Sequence, residues 1–256
     1  MLEEHGRWLY PRFIEPGSGK VVLRMQSYLV RTRHHTILVD TCVGNDKPRP
    51  KRPFWHMQKS KAYEENLSAA GVRVEDVDFV MCTHCHVDHV GWNTRLDNGR
   101  WVPTFPNARY IMSAKELEFW TGRHKADPES CPWVGDSVIP ILEARRAELV
   151  ASDFAMSETV RLVPTPGHTI DHFSVLVGKM GTDALVTGDM MHSPIQARYP
   201  EMGMFSDYSS EQAGRTRREI FSRYAGTSTL ICAAHFPSPS VGRLEPWADG
   251  FRFVER

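Results

Sequence analysis

The sequence has few cysteines, no long hydrophobic run and no excess of either charge. Five cysteines stand among 256 residues, and this odd, small number does not predict a disulfide framework. No apolar segment approaches the length that a membrane span needs, so we expect no membrane partner. The first residues lack the basic and then apolar pattern of a signal peptide. We therefore expect a cytoplasmic protein with reduced thiols.

Charge is balanced, since Lys plus Arg and Asp plus Glu each number 31. A protein without a global basic field is not predicted to bind nucleic acid. Short basic runs at 49–52 and 215–218 are better explained as solvated surface. The length of 256 residues can bury a substantial core, and we expect a single domain over 1–256.

Hydrophobic periodicity and capping signals indicate mixed secondary structure along the whole chain. Strands are predicted at 21–30, 36–40, 77–82, 109–112, 159–163, 173–177, 184–187, 230–233 and 251–254. Helices are predicted at 59–70, from Ser113 through Trp120, from Asp136 to about Glu148, and from Ser209 or Ser210 to Tyr224. Because strands and helices mix throughout, we expect an α/β protein with sheets covered by helices in layers.

Three of the twelve histidines fall within six positions, in the segment Thr-His-Cys-His-Val-Asp-His at 83–89. His84 and His86 are two residues apart, so an extended chain points both side chains to one face. Asp88 and His89 follow where the strand must turn. Imidazole nitrogens and carboxylate oxygens are ligands that suit zinc, iron or manganese. A polar turn after a strand is the plain alternative for this segment.

One short cluster cannot complete the coordination of two ions, so further ligands are expected elsewhere. His168 follows one predicted strand, Asp189 follows another, and His235 follows a third. Glycines precede both His168 and Asp189, which allows a sharp turn or a close approach of the backbone. The same arrangement at four strand ends favours a metal site over four unrelated turns.

The series THxHxDH, PGHT, GD and a late histidine resembles the metallo-β-lactamase superfamily, in that family's order over residues 83–235. The resemblance implies an αββα sandwich and two divalent ions, with zinc expected first and manganese, iron or cobalt as alternatives. It further implies that Asp189 bridges the two ions. One ion is then bound by His84, His86 and His168, and the other by Asp88, His89 and His235.

Such a centre implies hydrolysis by a metal-held hydroxide. Two cations about 3.5–4 Å apart hold a shared water and lower its pKa toward ~7. Asp88 and Asp189 are the expected catalytic residues, Asp88 because it could carry a proton to the leaving group. Five further residues are candidates for support of the ligands or for the substrate pocket: His172, His192, Trp92, Tyr199 and Tyr208.

Within the superfamily, the sequence most resembles the methyl parathion hydrolase-like and lactonase-like branch, at residues 40–47, 188–196 and 234–237. His86 disfavours the flavodiiron enzymes, which carry Glu there, and Asp189 disfavours class B β-lactamases, which lack it. Ile170 and Asp171 depart from the PGHTPGH of many relatives. Because those relatives begin further upstream, an opening strand is expected to be missing here.

We therefore expect a hydrolase acting on a small ester or lactone. Three alternatives stay open: an organophosphate or aryl-ester hydrolase acting on phosphotriesters, a di-iron redox enzyme, and a non-catalytic metal-binding protein. The resemblance also implies a possible homodimer.

Overall fold

The computed structural model describes residues 2–179 and 181–256. The helices are α1 Leu2–Leu9, α2 Ala62–Ala69, α3 Ala114–Ala126, α4 Pro132–Ser137, α5 Ile139–Glu143, α6 Ile195–Arg198 and α7 Ser210–Tyr224. The strands are β1 Tyr28–Arg31, β2 Thr36–Val39, β3 Phe79–Met81, β4 Thr94–Asp97, β5 Arg100–Pro103, β6 Arg109–Ser113, β7 Ala147–Val150, β8 Ala155–Ser157, β9 Val160–Pro164, β10 Phe173–Val177, β11 Ala184–Val186, β12 Leu230–Cys232, β13 Val241–Trp247 and β14 Gly250–Glu255. Among the described residues, no helix is both long and apolar enough to cross a bilayer.

The chain forms two compact units. We name Gln26–Ala151 the central unit, and the residues up to Met25 together with Ser152–Arg256 the terminal unit. The central unit contains a sheet of order β1-β2-β3-β6-β7. Its strands β2, β3, β6 and β7 are parallel, so their carboxyl ends lie at one edge. Polar residues that follow β2 and β3 are therefore brought together.

The terminal unit contains a sheet of order β14-β13-β12-β11-β10-β9-β8. Strands β11 and β12 are parallel, and β9 runs in the same direction because both β9 and β11 are antiparallel to β10. The segments that follow β9, β11 and β12 carry His168, Asp189 and His235. All three residues thus leave the sheet at the same edge.

Each unit has its own apolar core. In the central unit Val80, Tyr110 and Ile141 are fully buried in one cluster. In the terminal unit Leu185 and Phe221 belong to a second cluster. Four of the five residues of β10 are buried, as expected for a strand that is covered on both faces. Two hydrophobic clusters give each edge of ligand-type residues a rigid support.

Most predicted elements are confirmed, including the helices capped by Ser113 and Ser209. The Ser113 hydroxyl accepts a hydrogen bond from the Glu116 amide, and the Ser209 hydroxyl accepts one from Gln212. The predicted start of β1 at residue 21 is wrong, because the strand begins at Tyr28. Helix α1 and the strands β4, β5, β7, β8 and β13 were not predicted.

The predicted helix from Asp136 to about Glu148 is wrong. Two short helices, α4 and α5, occupy the region, each with a proline in its first turn. Asp136 lies inside α4, where Arg49 binds its carboxylate with two hydrogen bonds of 2.6 and 2.8 Å. Glu148 belongs to β7. Periodicity alone did not separate two short helices and a strand from one longer helix.

The five cysteines are unpaired and buried, as the sequence predicted. Cys82 and Cys85 both lie in the core of the central unit. Burial raises the pKa of the Cys82 thiol to about 12. A thiol with so high a pKa stays protonated in the metal-free protein at neutral pH, which does not favour Cys82 as a nucleophile.

Candidate metal centre

In the central unit, Asp40 orients the histidine segment. Asp40 follows β2, and its carboxylate accepts hydrogen bonds of 2.8 Å from both the amide and the hydroxyl of Thr83. The same carboxylate lies 2.8 Å from Nδ1 of His89. His89 therefore donates its Nδ1 proton to Asp40, and its Nε2 keeps a lone pair for a metal ion.

His84 is oriented through the same network. The Thr83 hydroxyl donates to Asp40, so it accepts from Nδ1 of His84 at 3.0 Å. The ring centroids of His84 and His89 are 4.1 Å apart, and those of His84 and His86 are 4.7 Å apart. The His86 ring also meets Trp120 edge to face at 5.2 Å. Three imidazoles are thus gathered at the end of β3.

Asp88 stands beside this group and is only half-buried. One of its carboxylate oxygens is 3.9 Å from Nε2 of His89. It therefore lies on the side of the His89 ring that is left for a metal.

In the terminal unit, the carboxylate of Asp189 lies between two histidines. Its Oδ2 is 3.2 Å from Nε2 of His168, and its Oδ1 is 2.8 Å from Nε2 of His235. His168 and His235 thus face different oxygens of the same carboxylate. Asp189 is 3% exposed, so its charge has little water to stabilise it and gains most from nearby cations.

The Nδ1 atoms of His168 and His235 are both hydrogen-bonded within the protein. Nδ1 of His168 is 2.9 Å from the Asp207 carboxylate, and Nδ1 of His235 is 2.8 Å from the carbonyl oxygen of Arg24. Both Nδ1 atoms therefore donate, which leaves Nε2 as the ligand atom. Imidazole Nε2 atoms around a buried carboxylate are a donor set that fits zinc.

The pKa of His168 is raised to about 9 in the metal-free protein. Burial acts in the opposite direction and lowers it, but the negative charges and hydrogen bonds of Asp189 and Asp207 outweigh burial. A histidine that is protonated at neutral pH must lose its proton before it can bind a metal. Metal binding at His168 is therefore expected to release a proton.

His172 and His192, both predicted as supporting residues, contact Asp189 in different ways. Nε2 of His172 accepts the backbone amide of Asp189 at 3.0 Å, and its Nδ1 lies 2.7 Å from the Thr165 hydroxyl. Nε2 of His192 lies 3.1 Å from Oδ2 of Asp189. Asp189, His192 and His235 together form a group that could hold a metal ion.

The predicted pocket aromatics lie in different environments. Trp92 is buried and stacks on Tyr63 with centroids 5.1 Å apart. The Tyr199 hydroxyl is 2.9 Å from Nε2 of His5. Tyr208 is 57% exposed, and its backbone amide donates to the carbonyl of His168. Of the two tyrosines, Tyr208 has the more exposed side chain and lies next to a predicted ligand.

Sequence reasoning missed the two acids that orient the histidines. Asp40 had a usable signal, because it ends the strand that precedes β3 and a parallel pair would place it beside the histidines. Asp207 had none. It lies 39 residues from His168 in a segment without periodicity, and only the folded chain brings the two together.

Comparison with solved structures identifies the fold. AbOPH, a hydrolase in the beta lactamase superfamily, superposes with a TM-score of 0.81 at 23% identity, covering 100% of this chain and 87% of that one. AidC, a dizinc quorum-quenching lactonase, gives a TM-score of 0.74 at 22% identity, covering 91% of this chain and 80% of that one. At such identities the likeness establishes the fold, which is the predicted αββα metallo-β-lactamase fold.

Sequence comparison extends this result. An N-acyl homoserine lactonase from Bacillus sp. is 28% identical over 160 residues, which are 59% of this chain. The match spans 56% of that lactonase, little more than half its length. Residues 24–235 match the family model of the metallo-beta-lactamase superfamily. The chain belongs to that superfamily.

Proposed function

We propose that the chain is a hydrolase with two metal ions that opens a lactone or cleaves a small ester. The observation that carries the proposal is the Asp189 carboxylate, whose two oxygens face His168 and His235 separately. The histidine segment at 83–89 supplies the remaining donors. The similarity to N-acyl homoserine lactonases supports a lactone as substrate.

We further propose how the ligands are divided between the ions, with zinc as the expected metal. The proposed sets are His84, His86, His168 and Asp189 for one ion, and Asp88, His89 and His235, with Asp189 as the bridge, for the other. These donors are imidazoles and carboxylates, with no thiolate among them. A set of this kind binds zinc well and also accepts manganese, iron or cobalt.

Bound ions would supply a hydroxide at neutral pH and polarise the oxygen that gains charge. The residues of this chain do the rest. Asp40 and Asp207 hold His89 and His168 in the tautomer that presents Nε2. Asp88 is half-buried beside His89, so its carboxylate would hold the proton released when the hydroxide forms and would pass it to the leaving alkoxide.

A substrate panel tests the proposal. The protein would be assayed with an acyl homoserine lactone, an aryl ester and a phosphotriester, with zinc bound, after chelation, and after zinc is restored. We expect lactone turnover that is lost on chelation and regained with zinc. The matched variant Asp189→Asn keeps the size of the side chain but loses its charge, and we expect it to lose turnover by at least ~100-fold.

Other outcomes would change the assignment. Faster turnover of the aryl ester or the phosphotriester would favour the organophosphate or aryl-ester alternative. Iron in the purified protein with visible absorption would favour the redox alternative. Bound metal without turnover of any substrate would contradict hydrolysis and favour a non-catalytic role.

A further inference from the structure

Helix α7 carries a buried guanidinium group, that of Arg217. The side chain is fully buried, and burial lowers its pKa, against the opposing charges of Asp207 and Glu201. It donates to the carbonyl oxygens of Pro200 at 2.6 Å, Met202 at 2.9 Å and Met190 at 3.3 Å. Burying a guanidinium is costly, so a role beyond filling space is expected.

The three carbonyl groups belong to two segments that carry residues of the candidate metal centre. Met190 directly follows Asp189, and Pro200 and Met202 begin the segment that leads to Asp207. Arg217 binds both segments at once, because its planar fork of five N–H donors can reach several acceptors in fixed directions.

Gln196 joins the same two segments a second time. Its Oε1 accepts the backbone amide of His192 at 2.7 Å, and its Nε2 donates to the carbonyl of Met202 at 2.9 Å. The Met202 carbonyl therefore accepts from both Gln196 and Arg217. Within the second segment, the Asp207 carboxylate in turn accepts the amide of Met204 at 2.8 Å.

Helix α7 also holds the turn that presents His168. The Thr216 hydroxyl donates to the carbonyl of Pro166 at 2.6 Å. The Ser209 amide, at the start of the helix, donates to the carbonyl of Gly167 at 2.9 Å. One helix thus contacts the segments of His168, Asp189 and Asp207.

We propose that Arg217 is a positioning residue for the metal centre. Arg217 holds Asp189 through the carbonyl of Met190. It holds Asp207 through the segment at 200–207, and Asp207 in turn orients the ring of His168. This inference rests on the proposed metal site. It assigns to Arg217 a role in metal affinity that is separate from its contribution to folding.

The test compares Arg217→Met and Arg217→Lys with Ile220→Ala. Ile220 lies on the same helix and is buried in the apolar core, so its truncation is expected to destabilise the protein while leaving every hydrogen bond from Arg217 to the two segments in place. Zinc affinity would be measured by competition with a chromophoric chelator. The absorption spectrum of the cobalt-substituted protein would report ligand geometry, and urea unfolding of the metal-free protein would report stability.

We expect Arg217→Met to weaken zinc binding ~10- to 100-fold, the range typical for partners of metal ligands, and to alter the cobalt spectrum. Arg217→Lys keeps the charge but loses the fork, so a smaller loss is expected. Ile220→Ala should lose stability and keep the affinity and spectrum of the wild type. If Arg217→Met does not fold, Arg217→Lys decides the question alone.

Two results would overturn the inference. One is zinc affinity in the Arg217 variants equal to that of the wild type. The other is a loss of zinc affinity in Ile220→Ala as large as that in the Arg217 variants. That result would show that Arg217 affects metal binding only through the stability of the fold. A wild-type protein that binds no metal would instead refute the proposed function itself, so the two failures are distinguishable.

Discussion

At the scale of single residues, three different partners give three histidines the same tautomer. Asp40 binds Nδ1 of His89, Asp207 binds Nδ1 of His168, and the Arg24 carbonyl binds Nδ1 of His235. In each case Nε2 is the nitrogen left for a metal ion, which at His168 requires the loss of a proton first. The partners differ in charge, so their removal should affect the histidines differently.

Replacing Asp207 with Asn is expected to weaken zinc binding by about 10-fold or more. The amide still accepts from His168, but the negative charge that helps to raise the pKa of His168 to about 9 is gone. Zinc competition titrations measure the affinity. NMR titration of the metal-free protein would show the pKa of His168 falling. Asp153→Asn, at an exposed position, is the control, and equal affinities in both variants would contradict the role of Asp207.

Lys47 is a second residue whose environment can be tested, through the dependence of stability on pH. The Lys47 side chain is fully buried. Its Nζ lies 2.6 Å from the Thr94 hydroxyl and 3.6 Å from the centre of the Trp101 ring. The Asp136 carboxylate lies 3.6 Å from Nζ of Lys47. The same carboxylate accepts two hydrogen bonds from Arg49. Burial lowers the pKa of Lys47 to about 7, although Asp136 raises it.

The unfolded chain therefore binds more protons at Lys47 than the folded chain does between pH 7 and the ordinary lysine pKa of about 10.4. The contribution of Lys47 to the free energy of unfolding is therefore expected to rise with pH over this interval. We expect the free energy of unfolding of the wild type, measured relative to that of Lys47→Met, to be larger at pH 9.5 than at pH 7. Urea unfolding at both values measures it, and a difference that does not change with pH would count against the shifted pKa.

At the scale of elements, α7 packs closely against the turn after β9 at Gly167. This glycine has a φ of +128°, and a Cβ there would lie 2.2 Å from the backbone nitrogen of Ala213 in α7. No side chain fits without displacing the helix or the turn. The PGHT motif thus contains a packing requirement as well as a ligand.

Gly167→Ala is expected to cost more than about 1 kcal/mol of unfolding free energy, because both the backbone conformation and the contact are unfavourable. Zinc affinity should fall with it, since the turn carries His168. The control is Gly122→Ala in α3, where a Cβ would meet nothing within 4 Å. It should gain about 0.5–1 kcal/mol. A stable Gly167→Ala with normal zinc affinity would disprove the requirement for glycine.

Strands that carry ligand-type residues were predicted well, whereas the region from Pro132 to Val150 was not. Strands β3, β9, β10, β11 and β12 are short apolar runs followed by polar residues, a local pattern that the sequence displays. In contrast, α4 and α5 are separated by a single residue, Val138. Asp136 in α4 is bound by Arg49 from 87 positions away, a contact that no local pattern displays.

At the scale of the whole molecule, each unit places its ligand-type residues at the carboxyl ends of strands in its own sheet. The central unit does so with parallel strands, and the terminal unit with β9, β11 and β12. The edge residues of both sheets are mostly buried. Buried imidazoles and carboxylates are costly without cations, so metal binding is expected to stabilise the fold.

Removal of metal is therefore expected to lower the melting temperature. Free zinc at 100 times its Kd adds about 2.7 kcal/mol of stability, which for a chain of this size corresponds to roughly 5–10 °C. Thermal unfolding with zinc, with chelator, and with zinc restored would measure this. A melting temperature that is identical in all three states, with metal content verified, would show that the ions do not stabilise the fold.

The sequence by itself determined the family resemblance, and it predicted the proposed donor set and the strands that precede it. These features are local, because the proposed ligands follow the ends of short strands within a few residues and glycines precede His168 and Asp189. Only the tertiary structure decided which groups orient those donors. Asp40 and His89 are 49 positions apart, and His168 and Asp207 are 39 apart. Arg217 meets its three carbonyl groups only after α7 has packed, so no local pattern could have identified it.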